Sequence, residues 1–302
     1  MYNCDQKERY ISETGITGKE LYFEKIADYE EEAGRDLCNL STGEIILFYK
    51  LCFTHSLDQL MVMNNVFKNY TDWCILNGLV TDSQNHYAEI NNDYLVRCVN
   101  TGLLDKKIIS KEEMKDICDR CRNYSNKFIV SGLFDGLGED YCMEIGYATP
   151  DKYNTETGEL ITYYGRRVKI SPETFEYLKK ACAEEIYVYA SGFDVRLIES
   201  QYPIKPIDFG HNNLVTQPDG PLMIQRIRNR MQDIKKVAAK GKEITTKSLR
   251  DSGLIDTINS LAAKPGETTI DKIYRNREEI ESKYGKFSSI NRFVIKYQKY
   301  LK

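Results

Sequence analysis

The stretch ITTKSLRDSGLIDTI, residues 244–258, has the pattern of an amphipathic helix that begins with a basic pair. Lys247 and Arg250 lie on its first turn, so both side chains project from the same end of the helix. The backbone N–H groups at a helix N-terminus are unpaired and attract anions such as phosphate. Two cations added at this end make the helix a candidate phosphate-binding element. Whether the phosphate belongs to a nucleic acid depends on the charge and architecture of the rest of the chain.

The composition is that of a soluble globular protein. The chain has 302 residues, of which 41% are hydrophobic and 29% charged, and a length of this order typically forms two domains with substantial cores. No apolar run approaches the roughly 20 residues that span a bilayer. The polar start MYNCDQKERY does not resemble a signal peptide. We therefore expect a cytoplasmic protein with no membrane partner.

The nine cysteines favour reduced thiols over disulfides. Their number is odd and they are scattered through predicted helices, as expected of small apolar side chains in a reducing compartment. Cys118 and Cys121 form one C-x-x-C pair, but a structural zinc site needs four ligands and no second pair accompanies it. We predict no metal and no other cofactor.

The net charge of −3 hides an asymmetry along the chain. Residues 221–302 contain 19 Lys and Arg against 9 Asp and Glu, a net charge of +10. This leaves 23 basic and 36 acidic residues, a net charge of −13, for residues 1–220. Such a basic segment favours a nucleic-acid or membrane partner. The alternative is a set of solvated helices beside an acidic domain, and charge alone leaves both interpretations open.

Residues 1–107 are predicted to form one all-helical domain. Three segments have the spacing of a capping box at a helix start, namely Thr17 to Glu20, Ser41 to Glu44 and Ser56 to Gln59. The helices that follow are predicted to end at Gly34, about Cys52 and Gly78. The third carries apolar residues at helical spacing and is predicted to be the centre of a small bundle: Leu57, Leu60, Met61, Phe67, Tyr70, Trp73 and Cys74. A linker is predicted near 103–109.

Residues 108–302 combine helices with a β-hairpin. A further helix start lies at Ser110 to Glu113, followed by the apolar stretch FIVSGLFDGLGEDYCMEI, residues 128–145. In ETGELITYYGRRVKIS, residues 156–171, the second half alternates, which predicts a strand with Val168 and Ile170 facing the core. Tyr164-Gly165 supplies the turn of the hairpin, and YVYASGFDV, residues 187–195, could add a strand or a helix end.

The chain is predicted to be helical again from Asp219 to Gly241. One face of this helix is apolar and is predicted to be buried: Met223, Ile227, Met231, Ile234 and Ala238. Basic residues fill the other positions: Arg226, Arg228, Arg230, Lys235, Lys236 and Lys240.

The order of these features resembles that of the tyrosine recombinases, or phage integrases. The carrying features are the helical N-terminal domain with NYTDWCILNGLV at 69–80, the L-F-x-G stretch with its glutamate, the GRRV-x-I-S-P hairpin, and the T-x-K-x-L-R helix. The resemblance implies a mainly α fold with a small β-sheet, in which a SAM-like core-binding domain (1–107) precedes a catalytic-type α+β domain (108–302). In the particular residues of these motifs, the sequence is most similar to integrase-derived repressors that maintain lysogeny in SPβ-type Bacillus phages.

The resemblance also shows which catalytic groups are missing. Recombinases of this family use two arginines to hold the scissile phosphate, a hairpin lysine as acid, two His or Trp-type groups and a tyrosine nucleophile. The first arginine is expected three residues before Glu144, where Tyr141 stands after Glu139 and Asp140. Arg250 matches the second arginine, but Lys247 and Asp251 replace its expected neighbours.

The remaining catalytic positions match poorly. The family's later G-H pair has no match except YGKFSSI at 284–290, with Lys286 in place of histidine. Tyr297 matches the nucleophile loosely, and Tyr284 and Tyr300 compete for the same position. None of the three histidines falls in such a motif: His55, His86 and His211. We therefore expect no recombinase activity, with Lys247, Arg250 and Tyr297 as remnant positions. The alternative is an active recombinase with an atypical site, and an accessory protein bound to attachment-site arms is a third.

Binding of duplex DNA needs only charge and reach, so it can outlast the chemistry. The predicted DNA contacts are Arg166, Arg167, Lys169, Arg226, Arg228, Arg230, Lys235, Lys240, Lys247, Arg250, Lys286 and Arg292. For Arg226 and Arg230 the alternative is a solvated helix face, and for Arg250 it is an ion pair with an acid such as Asp140. The resemblance implies a sequence-specific repressor bound to operator DNA. Self-association and a protein or peptide antirepressor are further partners left open.

Overall fold

The computed structural model describes residues 1–52, 54, 56–99, 101–208 and 220–302, without the side chains at 101, 103, 140, 141 and 220–222. His55 and His211 lie outside the described residues, as do the side chains of Asp140 and Tyr141.

The described residues form two compact units, residues 1–104 and 105–302, and both are mainly helical. The first unit contains the helices α1 (Cys4–Thr14), α2 (Glu20–Ala33), α3 (Thr42–Leu51), α4 (Leu57–Leu76) and α5 (Asn92–Cys98). The next helix, α6 (Thr101–Lys107), occupies most of the predicted linker. The boundary between the two units falls inside the predicted linker, although most of that segment is helical.

Helix α4 is the centre of the first unit, as predicted. Its inner face is buried at Leu57, Leu60, Phe67, Tyr70 and Cys74, whereas Met61 and Trp73 lie at the rim. Three of the rings on this core make edge-on contacts, which add to the energy of area burial: Tyr10, Phe23 and Tyr70.

A buried ion pair joins α1 to α2 in the same unit. Lys7 Nζ lies 2.5 Å from Glu30 Oε2, and both side chains are fully buried. Lys7 also donates to the Tyr2 carbonyl, and Glu30 accepts from the Leu37 N–H. These partners offset the large cost of removing two charges from water.

Capping explains where several helices begin. Ser41 and Ser110 form complete capping boxes with Glu44 and Glu113, as predicted. Ser56 accepts from the backbone N–H of Gln59 without the reciprocal bond. The predicted cap at Thr17 was wrong, because α2 begins two residues later, after Lys19, and has no side-chain cap.

The second unit is built around one apolar helix. Its helices are α7 (Lys111–Arg120), α8 (Tyr124–Phe134), α9 (Glu139–Gly146), α10 (Pro172–Ala183), α11 (Gly220–Ala238), α12 (Thr246–Ser260), α13 (Thr269–Arg275), α14 (Arg277–Tyr284) and α15 (Ile290–Tyr297). Helix α8 packs against α7, α10 and α12. A Cβ at Gly253 would lie 1.8 Å from the Phe134 carbonyl oxygen, so α12 approaches α8 at backbone distance.

Two small antiparallel sheets complete this unit. The first has the order β1 (Tyr153–Asn154), β2 (Glu159–Ile161) and β3 (Arg167–Lys169), and the second joins β4 (Ile186–Val188) to β5 (Asp194–Arg196). Val168 pairs with Leu160, and both are buried. Arg167 and Lys169 face outward, which confirms the predicted alternation. The stretch 187–195 forms most of a second hairpin rather than a helix end.

Helix α11 confirms its predicted inner face, since Met223, Ile227, Met231, Ile234 and Ala238 are all buried. A Cβ at Gly146 would lie 2.4 Å from the Met223 sulfur, so α9 and α11 touch closely. None of the helices in the described ranges is long and apolar enough to cross a membrane.

Candidate functional site

Glu144 on α9 is the buried centre of the site. Its carboxylate accepts from the backbone N–H groups of Gly138 and Glu139, each at 3.0 Å, and pairs with the guanidinium of Arg166. Burial alone would raise the pKa of Glu144, but the hydrogen bonds and charge of Arg166 outweigh it and hold the pKa below its usual value. Glu144 is therefore an ionised structural anchor for the loop that precedes α9.

Arg166, at the start of β3, has no donor left for a ligand. A guanidinium has five N–H donors. Nε and one Nη2 donor go to Glu144, and the second Nη2 donor goes to the Gly136 carbonyl at 3.0 Å. The two Nη1 donors go to the carbonyls of Ser282 and Lys283 at 3.1 and 2.8 Å. Because all five are satisfied inside the fold, we expect Arg166 to hold Glu144 rather than to contact DNA.

Arg250, the second arginine of the recombinase pattern, also meets an acid. Its Nη2 donates to Glu139 and to the Tyr284 carbonyl, the latter at 2.6 Å. The sequence left open an ion pair with an acid such as Asp140, and the described partner is its neighbour, Glu139. Nε is buried without an acceptor among the described residues, so Arg250 is only partly satisfied.

Each arginine of the site is therefore paired with a glutamate. Arg166 offsets Glu144, and Arg250 offsets Glu139. A recombinase site needs preorganised positive charge around the phosphate, since such donors usually supply the largest share of catalysis. In the described geometry, the positive charge of both arginines is paired with glutamates of the fold.

The three tyrosines that compete for the nucleophile position all have hydroxyl partners. Tyr297 is buried and donates to Asp251. Tyr284 is buried and donates to the Phe134 carbonyl at 2.9 Å, and burial raises its pKa. Tyr300 donates to Asp105, and burial and this hydrogen bond raise its pKa. None of these arrangements favours an ionised hydroxyl.

The basic face of α11 is not uniform. Arg230 is only 6% exposed, and its guanidinium lies 3.2 Å from the ring centroid of Tyr187. The side chain is packed against Tyr187 near Glu184, so we expect Arg230 to stabilise the fold rather than to contact DNA. Arg228 is exposed, whereas Arg226 is partly buried.

The other predicted DNA contacts lie on the surface of the second unit. Arg167 and Lys169 are exposed on β3, and Lys286 and Arg292 are exposed near α14 and α15. The Lys247 side chain is 76% exposed and lies 3.7 Å from Asp251. Lys235 on α11 is partly exposed, and Lys240, just after this helix, is exposed and forms an ion pair with Asp116 at 3.4 Å.

Comparison with known families covers most of the chain. Residues 108–301 match the family described as "MrpR, C-terminal catalytic domain", and residues 1–76 match "MrpR, N-terminal core-binding domain". The chain belongs to the MrpR family. The two matches confirm the predicted tyrosine-recombinase-like architecture, with a core-binding domain followed by a catalytic-type domain. No curated protein matches the chain.

Sequence reasoning missed how the arginines of the site are held. An ion pair of Arg250 with an acid such as Asp140 was left open, but the sequence did not single out Glu139 as the partner. The acceptors of Arg166 were missed too. Three of them are the backbone carbonyls of residues 136, 282 and 283, and a backbone carbonyl is present at every position whatever the residue type. A double arginine at 166–167, ahead of an alternating strand, was the only available signal that one of the two points inward.

The C-x-x-C pair is part of the core. Cys118 and Cys121 are both buried on the inner side of α7, and burial raises the pKa of Cys121 to about 12. Buried, protonated thiols of this kind are poor nucleophiles. Among the described residues, no group of His, Cys, Asp and Glu has the arrangement of a metal site.

Proposed function

We propose that this protein is a sequence-specific DNA-binding protein that uses a recombinase fold without recombinase chemistry. The observation that carries the proposal is the pairing of both arginines at the site with glutamates. Arg166 has all five donors engaged, and Arg250 shares its charge with Glu139. A phosphate at this position would find too little free positive charge to stabilise a strand-cleavage transition state.

Surface charge supports the binding half of the proposal. The predicted DNA contacts that are exposed on the second unit include Arg167, Lys169, Arg228, Lys247, Lys286 and Arg292. Arginine and lysine side chains of this kind neutralise DNA phosphates and release counterions, a contribution that does not require a catalytic geometry. The family's core-binding domain supports DNA as the partner.

The biological role is a repressor of phage genes that maintains lysogeny. The resemblance of the sequence to integrase-derived repressors of SPβ-type Bacillus phages supports this role. A protein that must stay on its site gains from losing the cleavage step, because a covalent intermediate would commit the DNA to strand exchange.

Selection of bound fragments from a phage-host genome tests the proposal. The protein should enrich a small set of related sites, and a promoter carrying such a site should be repressed when the protein is expressed. Enrichment of random fragments with no shared sequence, or sites that leave their promoters unaffected, would contradict it.

A further inference from the structure

Arg250 differs from Arg166 in having donors to spare. Both Nη2 donors are used, but Nε is buried without an acceptor, and Nη1 has none among the described residues. Its side chain retains 24% exposure. Arg250 can therefore take another acceptor without leaving its helix, whereas Arg166 cannot.

The carboxylate on Arg250 sits in a place shaped for it. A Cβ at Gly285 would lie 2.6 Å from Glu139 Oε1, and a Cβ at Gly138 would lie 3.2 Å from Arg250 Cδ. The two glycines leave room for this close approach. Glu144 fixes the same loop by accepting from the Glu139 N–H. The loop backbone thus places the Glu139 side chain, which keeps 44% exposure, beside Arg250.

We propose that Glu139 is an internal substitute for a DNA phosphate, which holds Arg250 back from the DNA. Carboxylate and phosphate oxygens offer a guanidinium the same charge-assisted hydrogen bonds, so the two compete for Arg250. The proposal rests on the DNA-binding function proposed above and adds that the wild-type protein binds DNA with one arginine contact withheld.

The size of the withheld contact follows from counterion release. Each phosphate neutralised on duplex DNA changes the slope of log affinity against log salt by about −0.9. Between 1 M and 0.1 M salt, one such contact therefore raises the affinity by about eightfold. Removing the charge of Glu139 should free Arg250 and add one such contact.

The test compares Glu139→Gln with Glu278→Gln in the full-length chain, by titration of duplex DNA at several salt concentrations. Glu278 is an exposed acid on α14 without an ion pair among the described residues, so its replacement controls for the loss of one negative charge. The expected result is that Glu139→Gln alone steepens the salt slope by about 0.9 and tightens binding about eightfold at 0.1 M salt. The double variant Glu139→Gln with Arg250→Gln should lose this gain while it keeps its helical circular dichroism signal.

Three results would overturn the proposal: no change of slope in Glu139→Gln, an equal gain in Glu278→Gln, or a gain that persists in the double variant. The proposed function is tested separately by the wild type. Binding by Glu139→Gln but not by the wild type would support the internal counter-ion and contradict the function. No binding by either protein would remove both.

Discussion

Replacing Arg166 by alanine should lower the stability of the fold, whereas replacing its neighbour Arg167 should weaken DNA binding. Arg166→Ala removes five hydrogen bonds and leaves the Glu144 carboxylate, whose side chain is 2% exposed, with two backbone N–H donors. Removing one partner of a buried pair costs about 3–5 kcal/mol. We expect the lower end, about 3 kcal/mol, because the Arg166 side chain keeps 20% exposure. Arg167→Ala, at an exposed position, should change the free energy of unfolding by less than about 0.5 kcal/mol.

The effects on DNA binding should be reversed. Arg166 has no free donor, so the folded Arg166→Ala protein should bind duplex DNA about as well as the wild type. Arg167 is exposed on the same strand, and its loss should flatten the salt slope by about 0.9.

The destabilisation of Arg166→Ala should also depend on pH. Arg166 holds the pKa of Glu144 below its unfolded value, so the pair stabilises the fold above that unfolded value and loses its effect as the pH falls through the folded pKa. Without Arg166, burial raises the pKa of Glu144. The difference in stability from wild type should therefore shrink as the pH is lowered, because protonation relieves the buried charge only in the variant.

Urea unfolding followed by far-UV circular dichroism measures the stability, and titration of DNA at 50–200 mM salt measures the binding. The reasoning is refuted if Arg166→Ala costs less than about 1 kcal/mol. It is also refuted if Arg166→Ala weakens DNA binding as much as Arg167→Ala does at unchanged stability.

Other substitutions test separate contacts. Arg230→Ala should lower the free energy of unfolding by about 2 kcal/mol, since a desolvated cation–π contact with Tyr187 is lost. It should leave the salt slope of DNA affinity unchanged, whereas Arg228→Ala, at an exposed position, should flatten that slope. A flatter slope for Arg230→Ala would show that Arg230 reaches DNA. Gly253→Ala should destabilise the second unit by about 3 kcal/mol or more, because its Cβ would meet the Phe134 carbonyl oxygen; a normal urea midpoint would contradict this backbone approach. Tyr284→Phe should lower the free energy of unfolding by about 1 kcal/mol, because its hydroxyl hydrogen bonds are lost. DNA affinity should stay unchanged when Tyr284, Tyr297 or Tyr300 is replaced by Phe. A loss of affinity in a variant of full stability would contradict this.

Periodicity predicted the parts of the fold that depend on local pattern. The inner faces of α4 and α11 follow from apolar residues at helical spacing, and the outward position of Arg167 and Lys169 follows from strand alternation. The linker near 103–109 coincides with the boundary between the units, but so short a segment gave no signal that most of it is helical. The prediction of a cap at Thr17 failed because residues with the spacing of a capping box do not always form its hydrogen bonds.

The site was predicted in composition but not in arrangement. Missing catalytic groups can be read position by position, so the replacements at 141, 247 and 251 were visible in the sequence. The partners of Arg166 and Arg230 were not, because they come from residues up to 117 positions away along the chain and include backbone carbonyls. A periodic basic stripe also cannot show that one member, Arg230, turns toward an aromatic ring.

The most direct test of the central claim is a suicide-substrate reaction. Full-length protein is incubated with a selected DNA site that carries a nick, which would trap a phosphotyrosine intermediate, and the mixture is run with and without SDS. We expect a retarded complex that SDS dissolves completely, because both arginines of the site are paired with glutamates and the candidate tyrosines are engaged. An SDS-stable adduct that disappears on replacement of Tyr297, Tyr284 or Tyr300 by Phe would contradict this and show that the chain still cleaves DNA.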